Sequence, residues 1–359
     1  MIYLKAHDLE NVCFRILRAA DVSEGHARIV SRHLAENNAL GFHSHGVILL
    51  EEYIDRIRKG TLIPNAEPKL TNESGSTAVV DGCWTFGQVV ASFATDLAIK
   101  KAQSAGISCV SMRNLTHLGR LGSYAERVAA AGLASIMFAA DGGHGHHQVP
   151  FGGTKARLGT NPIAFSFPYQ DDYPFLADFA TSAVAAGKVL VCRARGQKLK
   201  EGWLIDADGK PTTDPEDYLR GGALLPLGGS EGHKGYALAF MCALFGSVLS
   251  QGGIPGAPSK AWSNTSLFIA IDVQKFAPLE KLKQDANTLV RFIKDTPLAD
   301  ASKPILYPGE LEAQAHRKAS QVRIGLEEAT WDRVVSVLRE YSIEDIVDSL
   351  DLSHEADPK

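Results

Sequence analysis

Short β-branched runs alternate with helical spacings from residue 76 to residue 273, yet no G-x-G-x-x-G follows a strand and opens a helix anywhere in the 359 residues. Alternation of this kind builds an α/β sheet. Strands are expected over 76–81, 107–112, 134–139, 163–167 and 266–273, with helices over 89–105, 123–131, 183–195 and 234–249. The missing fingerprint argues against an ordinary Rossmann domain. Residues 202–214 (GWLIDADGKPTTD) read as a turn-rich excursion, punctuated by Asp208-Gly209 and Pro211.

Both ends of the chain carry a different pattern. Val12, Ile16, Leu17 and Ala20 mark a first amphipathic helix, and Ser23 caps a second with Ala27, Val30 and Leu34 on its apolar face. A third, over 47–58, presents Leu50, Tyr53, Ile54 and Ile57 and ends at Gly60, after which Pro64 and Pro68 break the pattern. Helical spacing returns over 279–294 and 329–341, around a linker at Pro304 and Pro308. The two ends are expected to pack together as one helical unit. At 359 residues and 45% hydrophobic content, the chain is long enough for roughly two domains. They are expected as a discontinuous helical domain (1–68 and 276–359) and an α/β domain (69–275).

Thirty-seven basic against 41 acidic residues leave a formal net charge of -4, which gives no electrostatic footprint for nucleic acid or an anionic membrane. Cys13, Cys83, Cys109, Cys192 and Cys242 are widely spaced and form no CxxC, so reduced intracellular thiols are expected. MIYLKAHDLE has no basic region followed by an apolar run, and no apolar stretch reaches the roughly 18 residues of a membrane span. A cytoplasmic location follows as the expectation.

Chemistry concentrates in GFHSHGVILLEEY, residues 41–53, where His45 stands between Ser44 and Gly46. A locally permissive backbone lets an imidazole face a cleft; the same residues are equally compatible with a satisfied turn between helices. Further glycine-flanked polar clusters follow: Thr116 to Gly122 with His117 and Arg120, Gly159-Thr160-Asn161-Pro162, 177–182 with Asp178, Gly232-His233-Lys234-Gly235-Tyr236, and Pro308 to Glu312. Glycines beside donors let backbone amides approach a phosphate or carboxylate, and Arg120, His233 and Lys234 offer positive charge to a pyrophosphate. Singly, each cluster also reads as a helix terminus, a close helix contact or a cap. Gly143-His144-Gly145-His146-His147 invites a metal reading, but no carboxylate or cysteine completes a ligand set nearby, and no metal is expected.

In this order, beginning with Ser44-His45-Gly46-Val47 and ending with Pro308-Gly309-Glu310, the clusters resemble the type-2 malate/L-lactate dehydrogenase family over nearly the whole chain. The resemblance implies a nicotinamide-dependent oxidoreductase of 2-hydroxy and 2-oxo acids, with a non-Rossmann α/β (α+β) cofactor domain, a mixed sheet and a homodimeric state. It implies proton transfer at the substrate oxygen by His45, with His117 as second candidate. It further implies NAD or NADP contacts from His45, Gly119, Arg120, Leu121, Leu176, Ala177, Asp178, Phe179, Ala180, His233, Lys234, Asn264, Gly309, Glu310, Leu311 and Glu312. Ser44, Leu49, Tyr53 and Thr160 are the expected substrate contacts. Leu49 departs from the family pattern, because many relatives carry a carboxylate-gripping arginine there. A larger apolar or aromatic 2-oxo acid is therefore expected in preference to a dicarboxylate. The rival readings are a cyclic imino acid reductase on the same scaffold, a hydrolase or lyase using the histidine loop, and a ligand-binding protein without activity.

Overall fold

The computed structural model describes residues 1–143, 145–169, 173–258, 261–319 and 323–354. The chain ends are stitched by a short antiparallel pair: β1 (Ile2–Leu4) lies against β12 (Ile324–Leu326), with Ile2 opposite Leu326. Above this pair, α1 (Ala6–Ala19), α2 (Glu24–Ala39), α3 (Leu50–Arg58) and α11 (Glu328–Glu340) bury their apolar stripes against one another. Leu9, Ile16 and Leu17 meet Val30, Leu34, Tyr53, Trp331 and Val334 in that core. The 3.6-residue spacing at both ends thus has a single cause. Ser23 caps α2 as its sequence position suggests, accepting the His26 N–H at 3.4 Å. The expected third helix opens as a 3-10 turn, Val47–Leu49, before α3 begins.

A seven-stranded sheet forms the second body. Its strands are β2 (Lys69–Glu73), β3 (Thr77–Asp81), β4 (Ile107–Leu115), β5 (Leu133–Asp141), β6 (Ile163–Phe167), β7 (Phe175–Phe179) and β11 (Asn264–Asp272), in the order β2-β3-β4-β11-β5-β6-β7. Only β3 and β4 run parallel, joined through α4 (Gly87–Ala105); every other neighbour is antiparallel. The sheet is therefore mixed and has no doubly wound switch point. Alternation along the strands sorts side chains to two faces. Met137 and Phe268 enter the core under α4 and α5 (Gly122–Ala130). Phe138, one residue along, stacks on Phe245 at 5.0 Å on the other face, where α8 (His233–Cys242) and the π-helical turn Ala243–Val248 pack. The single helix expected over 234–249 changes hydrogen-bond pattern at residue 243.

The excursion expected at 202–214 is a small three-stranded sheet of β8 (Leu204–Ile205), β9 (Pro211–Thr212) and β10 (Ala223–Leu224). It packs with α6 (Ala186–Ala194) and the one-turn α7 (Glu216–Leu219) around Val189, Leu199 and Leu224. α9 (Leu279–Lys294) buries none of its residues, and α10 (Glu310–Ala319) contributes Ala313 to the sheet core. The strands β1, β2, β7 and β12 were not expected. Two are three residues long, too short for period-two alternation, and β2 is exposed at every position.

Because Trp331 from the far end of the chain is 6% exposed among the N-terminal helices, Trp331→Ala should destabilise the protein by about 3–5 kcal/mol. The midpoint of urea unfolding measures it, and a shift worth about 1 kcal/mol or less would contradict a shared core.

Candidate active site

Helix α2 carries two adjacent asparagines, residues that compete with the helical backbone and weaken a helix interior. Both are buried and both serve the turn that follows. Asn38 Oδ1 accepts the Val47 N–H at 2.7 Å, and its amide nitrogen meets His43 Nδ1 at 3.0 Å. Asn37 Nδ2 donates to the His45 carbonyl at 3.4 Å. These bonds hold the 3-10 turns His43–His45 and Val47–Leu49 on either side of Gly46. A methyl group on Gly46 would overlap the Asn38 amide, so glycine is required there by space.

His45 is half-buried, with Nδ1 3.0 Å from Ser44 Oγ. Its ring stacks on that of His117, with centroids 5.7 Å apart and planes inclined by 24°. His117 is fixed from behind: its Nδ1 lies 2.9 Å from the Tyr53 hydroxyl, and Gln88 Nε2 donates to that hydroxyl at 2.7 Å. With its oxygen already accepting from Gln88, Tyr53 turns its O–H toward His117 Nδ1 and leaves the ring proton on Nε2. Burial, then the charges of His117 and Arg120, lowers the His45 pKa to about 3. Burial, then Arg56, lowers that of His117 to about 4. Both imidazoles are accordingly neutral at pH 7.

Trp262 also stacks on His117, at 5.9 Å, and the Arg56 guanidinium lies 4.6 Å from the indole centroid. Arg56 is held in turn by Glu52, one helical turn back, at 2.7 Å. Asn264 Oδ1 accepts the Leu118 N–H at 3.0 Å, and its Nδ2 donates to Asp141 Oδ1 at 3.1 Å. The strand β11 thereby grips the loop that carries His117.

The next residues of that loop turn inward. Gly119 has φ +82°, and a side chain there would strike the His33 ring, whose Nε2 accepts the Arg120 N–H at 3.1 Å. Arg120 is 3% exposed, donates to Asn37 Oδ1 at 3.0 Å and to Glu126, and lies 4.4 Å over the Phe42 ring. Burial opposes its charge, but Glu126 and Asp178 outweigh burial and keep it protonated. Asp178 accepts the Gly122 N–H at 2.7 Å, and burial raises its pKa to about 6 against the pull of Arg120.

The structure thus gathers Ser44, His45, Tyr53, His117 and Asn264 at one place, and Gly119, Arg120 and Asp178 beside it. Several expected positions fall elsewhere. Tyr53 is 1% exposed and stands behind His117, so any influence on a substrate passes through that ring. Leu49 packs on the helical core, while Leu121 and Leu176 belong to the sheet core. Arg120 is an internal brace more than a surface cation. His233 and Lys234, at the exposed start of α8, make their contacts with Glu231 and Phe151. Ala177, Phe179 and Ala180 follow along β7 and its end; Thr160 offers its carbonyl to Thr181 at 3.0 Å. Gly309 (φ +93°) abuts the backbone of β7, Glu310 pairs with Lys294 at 2.5 Å, and Glu312 lies close enough to raise Asp178. Leu311 is exposed. Among the described residues no group of three histidine, cysteine or acidic side chains converges for a metal. His144 lies outside the described residues, and His147 Nδ1 is bound to the Tyr218 hydroxyl at 2.6 Å. Gln88, Trp262, Asp141 and the pair Asn37-Asn38 were not expected at the site. Consecutive asparagines inside a helical pattern were the available signal.

A family model described as malate/L-lactate dehydrogenase matches residues 4–335. Hydroxycarboxylate dehydrogenase B of Escherichia coli is 35% identical over 342 residues, 93% of each chain. The malate dehydrogenase structure from Pyrococcus horikoshii superposes with a TM-score of 0.86 at 31% identity, covering 95% of this chain and 96% of that one. The structure of Δ1-piperideine-2-carboxylate reductase from Pseudomonas syringae gives 0.81 at 28% identity, covering 93% and 99%. The chain belongs to the malate/L-lactate dehydrogenase family. It is an oxidoreductase of the class acting on CH–OH groups, and that family's members use nicotinamide cofactors.

Since Arg120 braces α2, the His117 loop and Asp178 at once, Arg120→Ala should cost about 1–3 kcal/mol of stability by leaving the buried Asn37 oxygen and the half-buried Glu126 and Asp178 carboxylates unpaired. Thermal unfolding of the variant without cofactor checks this. An unchanged melting temperature with only weakened cofactor binding would assign Arg120 to a surface role instead.

Proposed function

We propose that the protein interconverts 2-oxo and 2-hydroxy acids with apolar or aromatic side chains, using NAD or NADP, with the proton handled at the His45–His117 pair. The observation that carries this reading is the pair itself: two neutral imidazoles stacked at 5.7 Å, one of them anchored by Tyr53 and Gln88. When bound, the nicotinamide cofactor supplies or accepts the hydride at substrate C2. His45 gives or takes the proton of the C2 oxygen, and His117, its Nε2–H pre-set by Tyr53, donates a hydrogen bond to it. The substrate carboxylate brings negative charge beside the two rings and so raises the imidazole pKa values toward the working range.

The residues present suit an anionic dinucleotide. Arg120 supplies positive charge from the inner wall: its Nη1 is buried with no hydrogen-bond partner among the described residues and lies 2.9 Å from where a Cβ on Gly122 would sit, with Asp178 Oδ2 at 2.7 Å from the same point. The exposed His233 and Lys234 offer further donors. The cofactor therefore belongs to the α/β domain of 69–275, with the helical domain closing the His45 side. A second copy of the chain is the natural cover for the exposed Phe240, Met241, Leu244 and Leu249 of α8 and its continuation, which gives the homodimer. A reductase of cyclic imino acids is the second reading, favoured by the likeness to the piperideine-carboxylate enzyme.

His45→Ala should lower turnover by about 10²- to 10⁴-fold while cofactor affinity stays nearly constant. Near-normal turnover in that variant would move the proton to His117. The substrate preference has its own test. Among the described residues the wall of His45, His117 and Trp262 is aromatic and its neighbouring Arg56 is already paired with Glu52, so a second carboxylate would be buried unpaired at a cost of several kcal/mol. Phenylpyruvate should therefore show a higher kcat/KM than oxaloacetate, and the opposite order would sink the proposal. A panel including a cyclic imine separates the second reading: turnover of the imine with none of the 2-oxo acids would select it.

A further inference from the structure

Asp141, at the end of β5, is a buried carboxyl that the reading above does not use. Its socket is built. A side chain on Gly145 would place a Cβ 2.7 Å from Asp141 Oδ2 and would collide with the Trp262 indole nitrogen, and one on Gly159 would overlap Oδ2 itself. Two glycines thus clear the room that the carboxyl occupies. From this socket it reaches in two directions. One oxygen accepts the Asn264 amide at 3.1 Å, and the Asn264 carbonyl oxygen accepts the N–H of Leu118, the residue after His117. The carboxyl also accepts from the side chain of Trp262, whose ring stacks on the His117 imidazole.

We propose that Asp141 is the positioning residue for His117: through Asn264 it fixes the peptide that follows the imidazole, and through Trp262 it fixes the imidazole's face. It touches neither substrate nor cofactor in this role. The two arms constrain different degrees of freedom, the height of the loop and the rotation of the ring, and each would be loose without the carboxyl between them. Burial raises the Asp141 carboxyl well above the usual carboxylate range, and the hydrogen bonds from Trp262 and Asn264 pull the other way. Among the described residues the titratable groups behind it are Tyr218, whose pKa burial and then Asp141 raise, and His147, bonded to that hydroxyl. Asn161 Oδ1 faces the same Gly159 space, is buried, and has no donor among the described residues. An amide keeps the planar shape of the carboxyl and an oxygen that accepts, both of which leucine lacks, so asparagine should replace Asp141 and leucine should not.

The role assigned to Asp141 rests on His117 belonging to the proton-handling pair, and the experiment separates the two claims. The full chain, with its histidines labelled with nitrogen-15, is compared as wild type, Asp141→Asn, Asp141→Leu and Trp262→Phe, with His117→Gln identifying the His117 signals. In parallel, kcat and KM are measured with phenylpyruvate and NADH or NADPH. The wild type and Asp141→Asn should share one sharp set of His117 signals, with Nε2 protonated. Asp141→Leu should shift or broaden them and lower kcat by about 10- to 100-fold, with KM for the cofactor within about twofold. Unmoved His117 signals in folded Asp141→Leu, or an asparagine variant as impaired as the leucine variant, overturn the proposal. Should Asp141→Leu fail to fold, Trp262→Phe decides, because it keeps an aromatic face for His117 and removes the N–H that the Asp141 carboxyl accepts: unchanged signals there overturn the proposal as well. A wild type that reduces no 2-oxo acid refutes the function, and the nitrogen spectra still decide the clamp.

Discussion

The site depends on the hydrogen bonds that two neighbouring asparagines of α2 make to the turn after their own helix. Asn38 takes the Val47 N–H and Asn37 reaches both the His45 carbonyl and Arg120, so one helix sets the position of the His45 turn and of the loop opposite it. The cost in helix propensity is a few tenths of a kcal/mol per residue, small beside the roughly 1–3 kcal/mol of leaving such a buried donor or acceptor unpaired. Gly46 and Gly119 complete the arrangement by leaving room, one for the Asn38 amide and one for the His33 ring. His45 and His117 come from segments 72 residues apart and meet because α2 holds both.

Around that contact the electrostatics are those of a site awaiting charge. Arg120 is already matched by Glu126 and Asp178, and Arg56 by Glu52. Desolvation holds the two imidazoles neutral in the free enzyme, and a carboxylate arriving in the cleft is the group that changes this balance. Substrate binding and protonation are therefore coupled, and a neutral ligand of the same shape lacks that coupling.

Much of this architecture was legible in the sequence, for stated reasons. The period of 3.6 at both ends specified the helical core, and β-branched alternation specified β3, β4, β5, β6 and β11, because those signals come from burial over many residues. The ordered clusters pointed to the family and to the gathering of His45, His117 and Asn264. What stayed illegible depends on pairing between distant positions. Leu49 reads as a pocket residue by motif and packs on the helical core in space; Arg120 reads as a free cation and is enclosed. Trp262 and Asp141 carry no local pattern, since their role exists only where β5 and β11 come side by side.

Burial keeps the His45 and His117 imidazoles neutral in the free protein, and if they handle the proton the pH dependence of kcat/KM for 2-oxo acid reduction reads this out. Reduction needs the protonated ring, whose free-enzyme pKa is lowered to about 3 at His45 and about 4 at His117. Above those values the protonated fraction falls tenfold with each pH unit. On that basis kcat/KM should climb about tenfold per unit as the pH drops from about 8 to about 5, with no plateau in that range. A profile that levels off near the ordinary histidine value of about 6.5 would contradict it.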